Sequence, residues 1–452
     1  MKIKKNNLIR IINKNVLLDI HYAYSSEKIN IFSRGLFPIW YRNNKYYSII
    51  LYFVLLVRKF FSFRNFQFTT KKVPVLFLAY TNNQREAISL IKKKRNDSEI
   101  FGDYGFGDFS FPIYKSYILS LPYYKEISNL YKYSANYLRL SFSFAFHEYW
   151  LTYGHFIMLV NFFKNADVEV VVVANDQYLR TRLIPYVCDF IGIKSVYIQH
   201  ASVSLDFPRL IFNYALLEGR DSLDKYLKIG KIDSEVFLLG SSKEPKSDEI
   251  CTKERVYNIG ICFGLIDDVL KVEKLIQEVL KSYDCGNIFL RPHPREGRVA
   301  FVQNMLSKYN IGFSDSKNEE TSKFFKKVEC IIASESNIHL EAVLQNIYSI
   351  YYQLTENDRQ KYDVYGFLSA KLIVDFTDIN LLKEILFKLK KEKPNVRSNA
   401  RYYNDTIGTK FEGQSVVLYD EVISYIKTEN TDFINKTFNI EDINGVKVYS
   451  LR

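Results

Sequence analysis

Short, unbroken apolar runs recur along this chain, and most of them end on a polar or glycine-bearing tip. VPVLFLAY (Val73–Tyr80) and VEVVVVA (Val168–Ala174) have the continuous hydrophobicity of strands covered on both faces, the signature of a parallel sheet. The Val168–Ala174 run leads through Asn175-Asp176-Gln177 into a helical pattern over 178–191, Gly192, and a second strand, SVYIQH (Ser195–His200). Strand, helix and strand within about thirty residues make a βαβ crossover. RLIFNYALLEG and EVFLLGSS add strands on either side of a helix over 222–229. The polar, proline-containing stretch 241–254 reads as a linker. A second alternating set follows: VYNIGICFG, a helix over 267–283, NIFLRPHP (Asn287–Pro294), a helix over 301–309, VECIIAS (Val328–Ser334), a helix over 337–345, then SIYYQL and KLIVDF. A last helix spans 415–427, long helical patterns fill 118–163, and Phe101–Pro112 reads as a glycine- and phenylalanine-rich loop. The expected fold class is α/β, with two doubly wound domains facing a central cleft.

Composition narrows the partners. The 452 residues suit two cores, and 47% hydrophobic with 25% charged residues is globular. The formal net charge of +12 favours anionic partners: nucleotides, lipid-linked phosphates, acidic glycans or a membrane surface. No Cys/His finger, RNA-binding signature or basic recognition helix appears, so nucleic acid is not expected. Cys188, Cys251, Cys262, Cys285 and Cys330 are odd in number and never in CxxC spacing. They read as reduced residues rather than a disulfide framework or zinc site, which favours the cytoplasm. The basic N-terminus lacks a signal-peptide pattern. Tyr46–Val57 is an uncharged, largely apolar run between Lys45 and Arg58. As a helix it spans about 18 Å, too short to cross a bilayer. Its basic flanks suit a helix lying in the membrane interface, and a buried core helix fits as well.

Ligands of open parallel sheets bind beyond the carboxyl ends of the strands. In the second set of strands three such tips carry polar groups. Gly260 and Gly264 allow close backbone approach to a phosphate, or simply make a tight turn. In Arg291-Pro292-His293-Pro294-Arg295 the prolines stiffen a strand end that presents an imidazole between two cations. Ser334, Ser336 and Asn337 precede a helix, where they cap its amides or offer hydroxyls to an anion. Glu341 lies further along that helix, within reach of ribose hydroxyls or of solvent. In the first set, Asn175-Asp176-Gln177 and Gln199-His200 occupy strand ends. Asp176 has the rigid placement of a general base or nucleophile, and equally that of a helix cap. His200 suits phosphate binding or proton transfer. Arg180 and Arg182 lie at the start of the same helix, and Asp103 and Asp108 are reserve acceptor-side candidates.

NDQ, YIQHASVS, ALLEG with LLGSS, RPHP and SESN together resemble the bacterial GT-B glycosyltransferases that build capsules, O-antigens and lipooligosaccharides, among them the CMP-Kdo and CMP-sialic acid transferases. Teichoic-acid-type CDP-glycerol and CDP-ribitol phosphotransferases are more distantly similar. The resemblance covers residues 168–352. It implies two Rossmann-like domains: residues 1–240 as an acceptor-side domain with a basic, aromatic N-terminal extension, 241–254 as linker, and 255–410 as the nucleotide-sugar domain. Residues 411–452 are then a helix and tail that return toward the first domain. It also implies that His293, Pro294, Ser334 and Ser336 contact the nucleotide phosphate and cytidine, and that Asp176 is the acceptor-side carboxylate. The expected reaction is metal- and cofactor-independent transfer of a Kdo- or sialic-acid-like sugar from CMP to a glycan or lipid-linked glycan at the inner face of the plasma membrane. Two departures stand out. Teichoic-type enzymes read QHG where this chain has Ala201 after His200, and Glu335 splits the serine pair. A CDP-polyol phosphotransferase, a UDP-hexose transferase and a non-catalytic assembly subunit are the alternatives, with an epimerase of the same architecture behind them.

Overall fold

The computed structural model describes residues 4–23, 45–61, 72–102, 107–134, 136–282, 286–355, 363–376 and 379–452. Asp103 and Cys285 lie outside the described residues.

Fifteen described strands form two sheets. The first contains β1 (Val75–Ala79), β2 (Ser98–Gly102), β3 (Phe109–Ser110), β4 (Val170–Val173), β5 (Lys194–Ile198), β6 (Tyr214–Leu217) and β7 (Glu235–Leu238). The second contains β8 (Ile259–Phe263), β9 (Ile288–Pro292), β10 (Gly312–Phe313), β11 (Cys330–Ala333), β12 (Tyr348–Tyr352) and β13 (Val374–Phe376). A C-terminal hairpin, β14 (Phe438–Ile443) and β15 (Val446–Leu451), extends the first sheet through a parallel pairing of β15 with β7.

Strand order carries the functional geometry. The first sheet runs β14-β15-β7-β6-β5-β4-β1-β2-β3 and the second β10-β9-β8-β11-β12-β13. Within each, the chain starts at the middle, moves outward one way, then restarts on the other side. The order therefore reverses between β1 and β4, and again between β8 and β11. Connections leave these neighbouring strand ends toward opposite faces, which opens a crevice at each reversal.

Period-two alternation splits each strand of the first sheet between two cores. Leu76, Leu78, Val171 and Val173 join one cluster, and Val75, Phe77, Val170 and Val172 the other. The first core is covered by the long helix Asn136–Asn165, which kinks at Ala145 (φ −119°, ψ 26°). The second is covered by Asn82–Lys92 and by Ser415–Thr428, whose Leu418, Tyr419 and Val422 are buried there. The second sheet packs under Val269–Ser282, Val299–Tyr309 and Ile379–Lys391 on one face.

Three local expectations change. Residues 411–452 are not only helix and tail, because Asn444 and Gly445 take left-handed φ (55° and 79°) and turn the last strands back on each other. Part of Phe101–Pro112 is strand: β3 pairs with the end of β2, and Phe101 stacks on Phe109 at 5.2 Å. The apolar run at 46–57 sits in a helix, Lys45–Phe61, that is core on one side only. Its Tyr52 is buried and stacks on Trp150 at 3.8 Å, while Ile50, Phe53, Val54 and Val57 are exposed. Among the described residues no helix is long and apolar enough to cross a membrane.

Candidate functional site

The crevice of the second sheet is assembled from three adjacent strand ends. Phe263 at the end of β8 pairs with Pro292 of β9, and Cys262 pairs with Ala333 of β11. His293 and Ser334, the next residues of their strands, therefore flank the β8 tip on either side. With strands about 4.8 Å apart, their backbones stand roughly 10 Å from each other, a span that one diphosphate or a phosphate with its sugar can bridge.

Asp267 ties this tip together. Its buried carboxylate accepts the Gly264 N–H on one oxygen and the Ser334 hydroxyl (2.7 Å) on the other. Burial pushes its pKa up, against these two hydrogen bonds. Arg298 donates to the carbonyls of Asp267 (2.7 Å) and Gly264 (3.0 Å), and Glu296 holds Arg298 in turn. The β8 turn and the β11 tip are thus one cross-linked unit.

His293 is fastened at its backbone, where its N–H donates to the Phe263 carbonyl (2.9 Å). Its Nδ1 accepts the Arg295 N–H at 3.1 Å. Burial, reinforced by Arg295, lowers its pKa, so the ring is neutral near pH 7. An Nδ1 that accepts places the single ring proton on Nε2. His293 is therefore a fixed hydrogen-bond donor that carries no charge of its own.

The other expected donor-side residues divide. Gly264 has open space around its α-carbon, with only an Asp267 oxygen within reach of an added Cβ. Gly260 lies inside β8, where a Cβ would stand 2.5 Å from the Phe324 ring, so this glycine serves packing rather than phosphate approach. Arg291 is buried, with its guanidinium donating to Ser314 (2.6 Å) and the Glu319 carbonyl (3.0 Å) and stacking over Phe324 at 4.9 Å. Those bonds hold it to the β10 side. Pro294 and Arg295 are exposed. Ser336 accepts the Ile338 N–H at 3.3 Å, a turn-closing bond. Asn337 has a buried Oδ1 with no hydrogen-bond partner among the described residues. Glu335, between the two serines, accepts the Tyr365 N–H.

The first sheet presents its own row of tips. Asn175 Oδ1 accepts the N–H groups of Gln177 (2.9 Å) and Tyr178 (3.2 Å), so Asn175, rather than Asp176, closes the turn after β4. Asp176 is 1% exposed and takes the Tyr226 hydroxyl at 2.8 Å. Beside it, buried Arg182 pairs with Asp19 at 3.1 Å. Arg180 lies over the Tyr80 ring at 5.5 Å, at the mouth of the β1–β4 crevice. Asp108 pairs with Arg85 at the sheet's far edge. At the end of β5, Gln199 donates to the Ala201 carbonyl (3.0 Å) and to Glu218 (3.3 Å), and accepts the Glu218 N–H. His200 follows it, with Nδ1 buried and without a hydrogen-bond partner among the described residues. Burial, then Lys243, lowers its pKa to about 4.

Three participants escaped the sequence reading. Glu218 directly follows β6 and accepts the Ser241 hydroxyl at 3.0 Å; burial pushes its pKa up to about 7. Lys243, assigned to the linker, stands just beyond β7, 3.6 Å from Glu86. Its charge acts on His200, Glu218 and, across the cleft, on Glu341 of the second sheet. Asp267 is the third. The rule that located His200 and His293 would have found all three, because each lies within a few residues of a strand's carboxyl end.

Ser202 and Ser242 also have buried hydroxyls with no hydrogen-bond partner among the described residues. Together with His200 and Asn337, the tips of both sheets hold unsatisfied polar atoms. Such atoms are rare in folded proteins and call for a ligand or ordered water. Among the described residues no group of three His, Cys, Asp or Glu side chains is arranged to hold a metal ion.

The sequence matches no family model and no curated protein. Several solved structures are similar in fold. A putative UDP-N-acetylglucosamine 2-epimerase from Listeria monocytogenes has a TM-score of 0.52 at 8% identity, over 79% of this chain and 98% of that one. Another UDP-N-acetylglucosamine 2-epimerase reaches 0.50 at 12% identity, over 80% and 98%. The wall teichoic acid polymerase TagF scores 0.48 at 11% identity, over 94% and 99%. The chain has the GT-B fold of two Rossmann-like domains.

Proposed function

We propose that this chain is a glycosyltransferase that takes a Kdo- or sialic-acid-like sugar from a CMP donor and adds it to a bacterial surface glycan or its lipid-linked precursor. The observation that carries this reading is the geometry of His293, whose backbone N–H is held by Phe263 and whose Nδ1 accepts the Arg295 N–H, leaving Nε2 to donate beside the Asp267-clamped tip of β8 and β11. In the transfer, the bond from the anomeric carbon to the CMP phosphate oxygen breaks as the acceptor oxygen bonds to that carbon. Negative charge grows on the departing phosphate, where the His293 Nε2–H donor receives it, and the open space beside the Gly264 α-carbon leaves room for the phosphate. The acceptor hydroxyl's proton passes to a base on the first sheet.

His200 fits that role through its unpartnered Nδ1, and an anionic donor beside it raises its basicity. Asp176, expected to be the base or nucleophile, enters this reading as a positioning residue, since its carboxylate is buried and engaged by Tyr226. Lys243 acts electrostatically on Glu341 of the second domain, so both respond to charge that enters between them.

Thermal denaturation with CMP, CDP, UDP and GDP tests the donor. CMP is expected to stabilise the fold most. Stabilisation by UDP alone would move the assignment to a UDP-sugar enzyme, and no shift with any of the four would remove the nucleotide reading. Likeness in fold to UDP-N-acetylglucosamine 2-epimerases favours one second reading, epimerisation without an acceptor. Following UDP-N-acetylglucosamine by proton NMR separates the two, since only an epimerase scrambles the C2 centre of the donor alone.

A further inference from the structure

The helix Lys45–Phe61 carries apolar residues on both its buried and its exposed face. Inward, Tyr52 is buried against Trp150 and Tyr117. Outward, Ile50, Phe53, Val54, Val57, Phe60 and Phe61 are exposed, and Phe61 is 79% so. Their spacing of three and four residues lines them along one stripe. The neighbouring helix Ile113–Ser120 runs beside it: Phe60 meets Tyr114 at 5.4 Å, and Tyr52 meets Tyr117 at 4.9 Å. That helix and the residues after it carry exposed Ile118, Leu121 and Tyr124, one to three turns on from the Tyr114 and Tyr117 contacts with Lys45–Phe61. At the other end Lys45 lies over Tyr131 at 4.8 Å. A continuous apolar face therefore extends along the whole helix, about 26 Å.

Charge tells what covers it. Residues 45–61 contain Lys45, Arg58 and Lys59 and no acid. Residues 113–133 contain Lys115, Lys125 and Lys132 against a single acid, Glu126, which pairs with Lys5 at 2.8 Å. A second copy docked by the same face would bring cations against cations. An apolar stripe rimmed almost wholly by lysine and arginine matches instead an anionic lipid surface, with hydrocarbon beneath and headgroup phosphates at the rim. The uncharged run 46–57 is too short to span a bilayer and Tyr52 is packed on Trp150, so the helix lies in the membrane plane.

We infer that the exposed face of Lys45–Phe61, with Ile118, Leu121 and Tyr124, docks the protein on an anionic bilayer surface. This does not rest on the donor assigned above, and binding is measured without turnover. The full chain is floated with vesicles of phosphatidylcholine alone and of phosphatidylcholine with about one third phosphatidylglycerol. The protein is expected to partition onto the anionic vesicles and to come off as salt rises. Val54→Asp with Val57→Asp, both at exposed positions, should weaken partitioning at least roughly tenfold with unchanged circular dichroism and melting temperature. Arg58→Glu should weaken it several-fold on anionic vesicles only. Equal binding by the double variant, or no binding by the unchanged protein, overturns the inference. So does a dimer in light scattering that the double variant converts to monomer, which would mean a second copy covers the face.

Discussion

The two sheets share one strand order, yet their functional tips are built in opposite ways. In the second sheet the tip is closed on itself around Asp267, which joins the Gly264 turn to Ser334 while Arg298 braces both and His293 is pinned through its backbone and Nδ1; Asn337 Oδ1 is its one buried polar atom without a hydrogen-bond partner among the described residues. In the first sheet the tip is open. His200, Ser202 and Ser242 have buried polar atoms without hydrogen-bond partners among the described residues, and Glu218 is a buried carboxyl whose pKa has moved to about 7. The contrast teaches a division of labour. A donor phosphate keeps its shape from reaction to reaction and is served by rigid, pre-aimed groups. On the proposed function, the opposing tips, whose buried polar atoms lack partners among the described residues, take the acceptor and its proton.

The largest expected effect breaks the rigid side. His293→Ala should lower donor turnover by about 10²–10³-fold, the usual consequence of deleting one aimed donor to a developing anion. Rates within threefold of the parent protein would place the leaving-group site elsewhere.

Next comes the open side, through pH. The folded pKa of Glu218 lies near 7, above the ordinary 4.5, so the folded protein keeps a proton that the unfolded chain has released. This group's contribution to stability is full below pH 4.5 and declines as pH rises to 7, by on the order of 3 kcal/mol. His200 acts oppositely, since its folded pKa is near 4 against 6.5, and its contribution is lost as pH falls through that window. Urea unfolding of the parent and Glu218→Gln proteins at pH 5 and pH 8 isolates the first term. The parent's advantage over the variant should shrink by about 3 kcal/mol at the higher pH, and a constant difference would mean the carboxyl is charged throughout.

Asp267→Ala should cost about 2 kcal/mol of stability by orphaning the Gly264 amide and the Ser334 hydroxyl. It should also raise the donor KM more than the matching Ser242→Ala change on the open side. Smallest, Tyr226→Phe removes one hydrogen bond to Asp176 and should cost about 1 kcal/mol with turnover nearly unchanged. A hundredfold loss of turnover there would return Asp176 to the chemistry.

Much of this architecture is legible in the chain. Val170–Val173 and Cys330–Ala333 are buried on both faces and read as such, because a doubly covered strand has no polar positions to hide it. The strand-end rule located His200, His293 and Ser334 for the same reason. The side chains at these ends are less legible. Whether Arg291 meets a phosphate or Ser314 depends on where β10 packs, and Asp176 is engaged by a tyrosine fifty positions away. Glu218 and Lys243 were hidden by their neighbourhoods: one ends an apolar run, and the other opens a stretch as polar as any linker. The C-terminal hairpin was visible in principle, since Asn444-Gly445 between alternating residues is a strong turn signal.

The central claim is that the closed tip of the second sheet grips a nucleotide phosphate. Calorimetric titration of CMP into the parent, His293→Ala and His200→Ala proteins at pH 7 tests it most directly. The account predicts binding to the parent, a Kd at least tenfold weaker for His293→Ala, and one within about threefold for His200→Ala. The same affinity for the parent and His293→Ala proteins would contradict it.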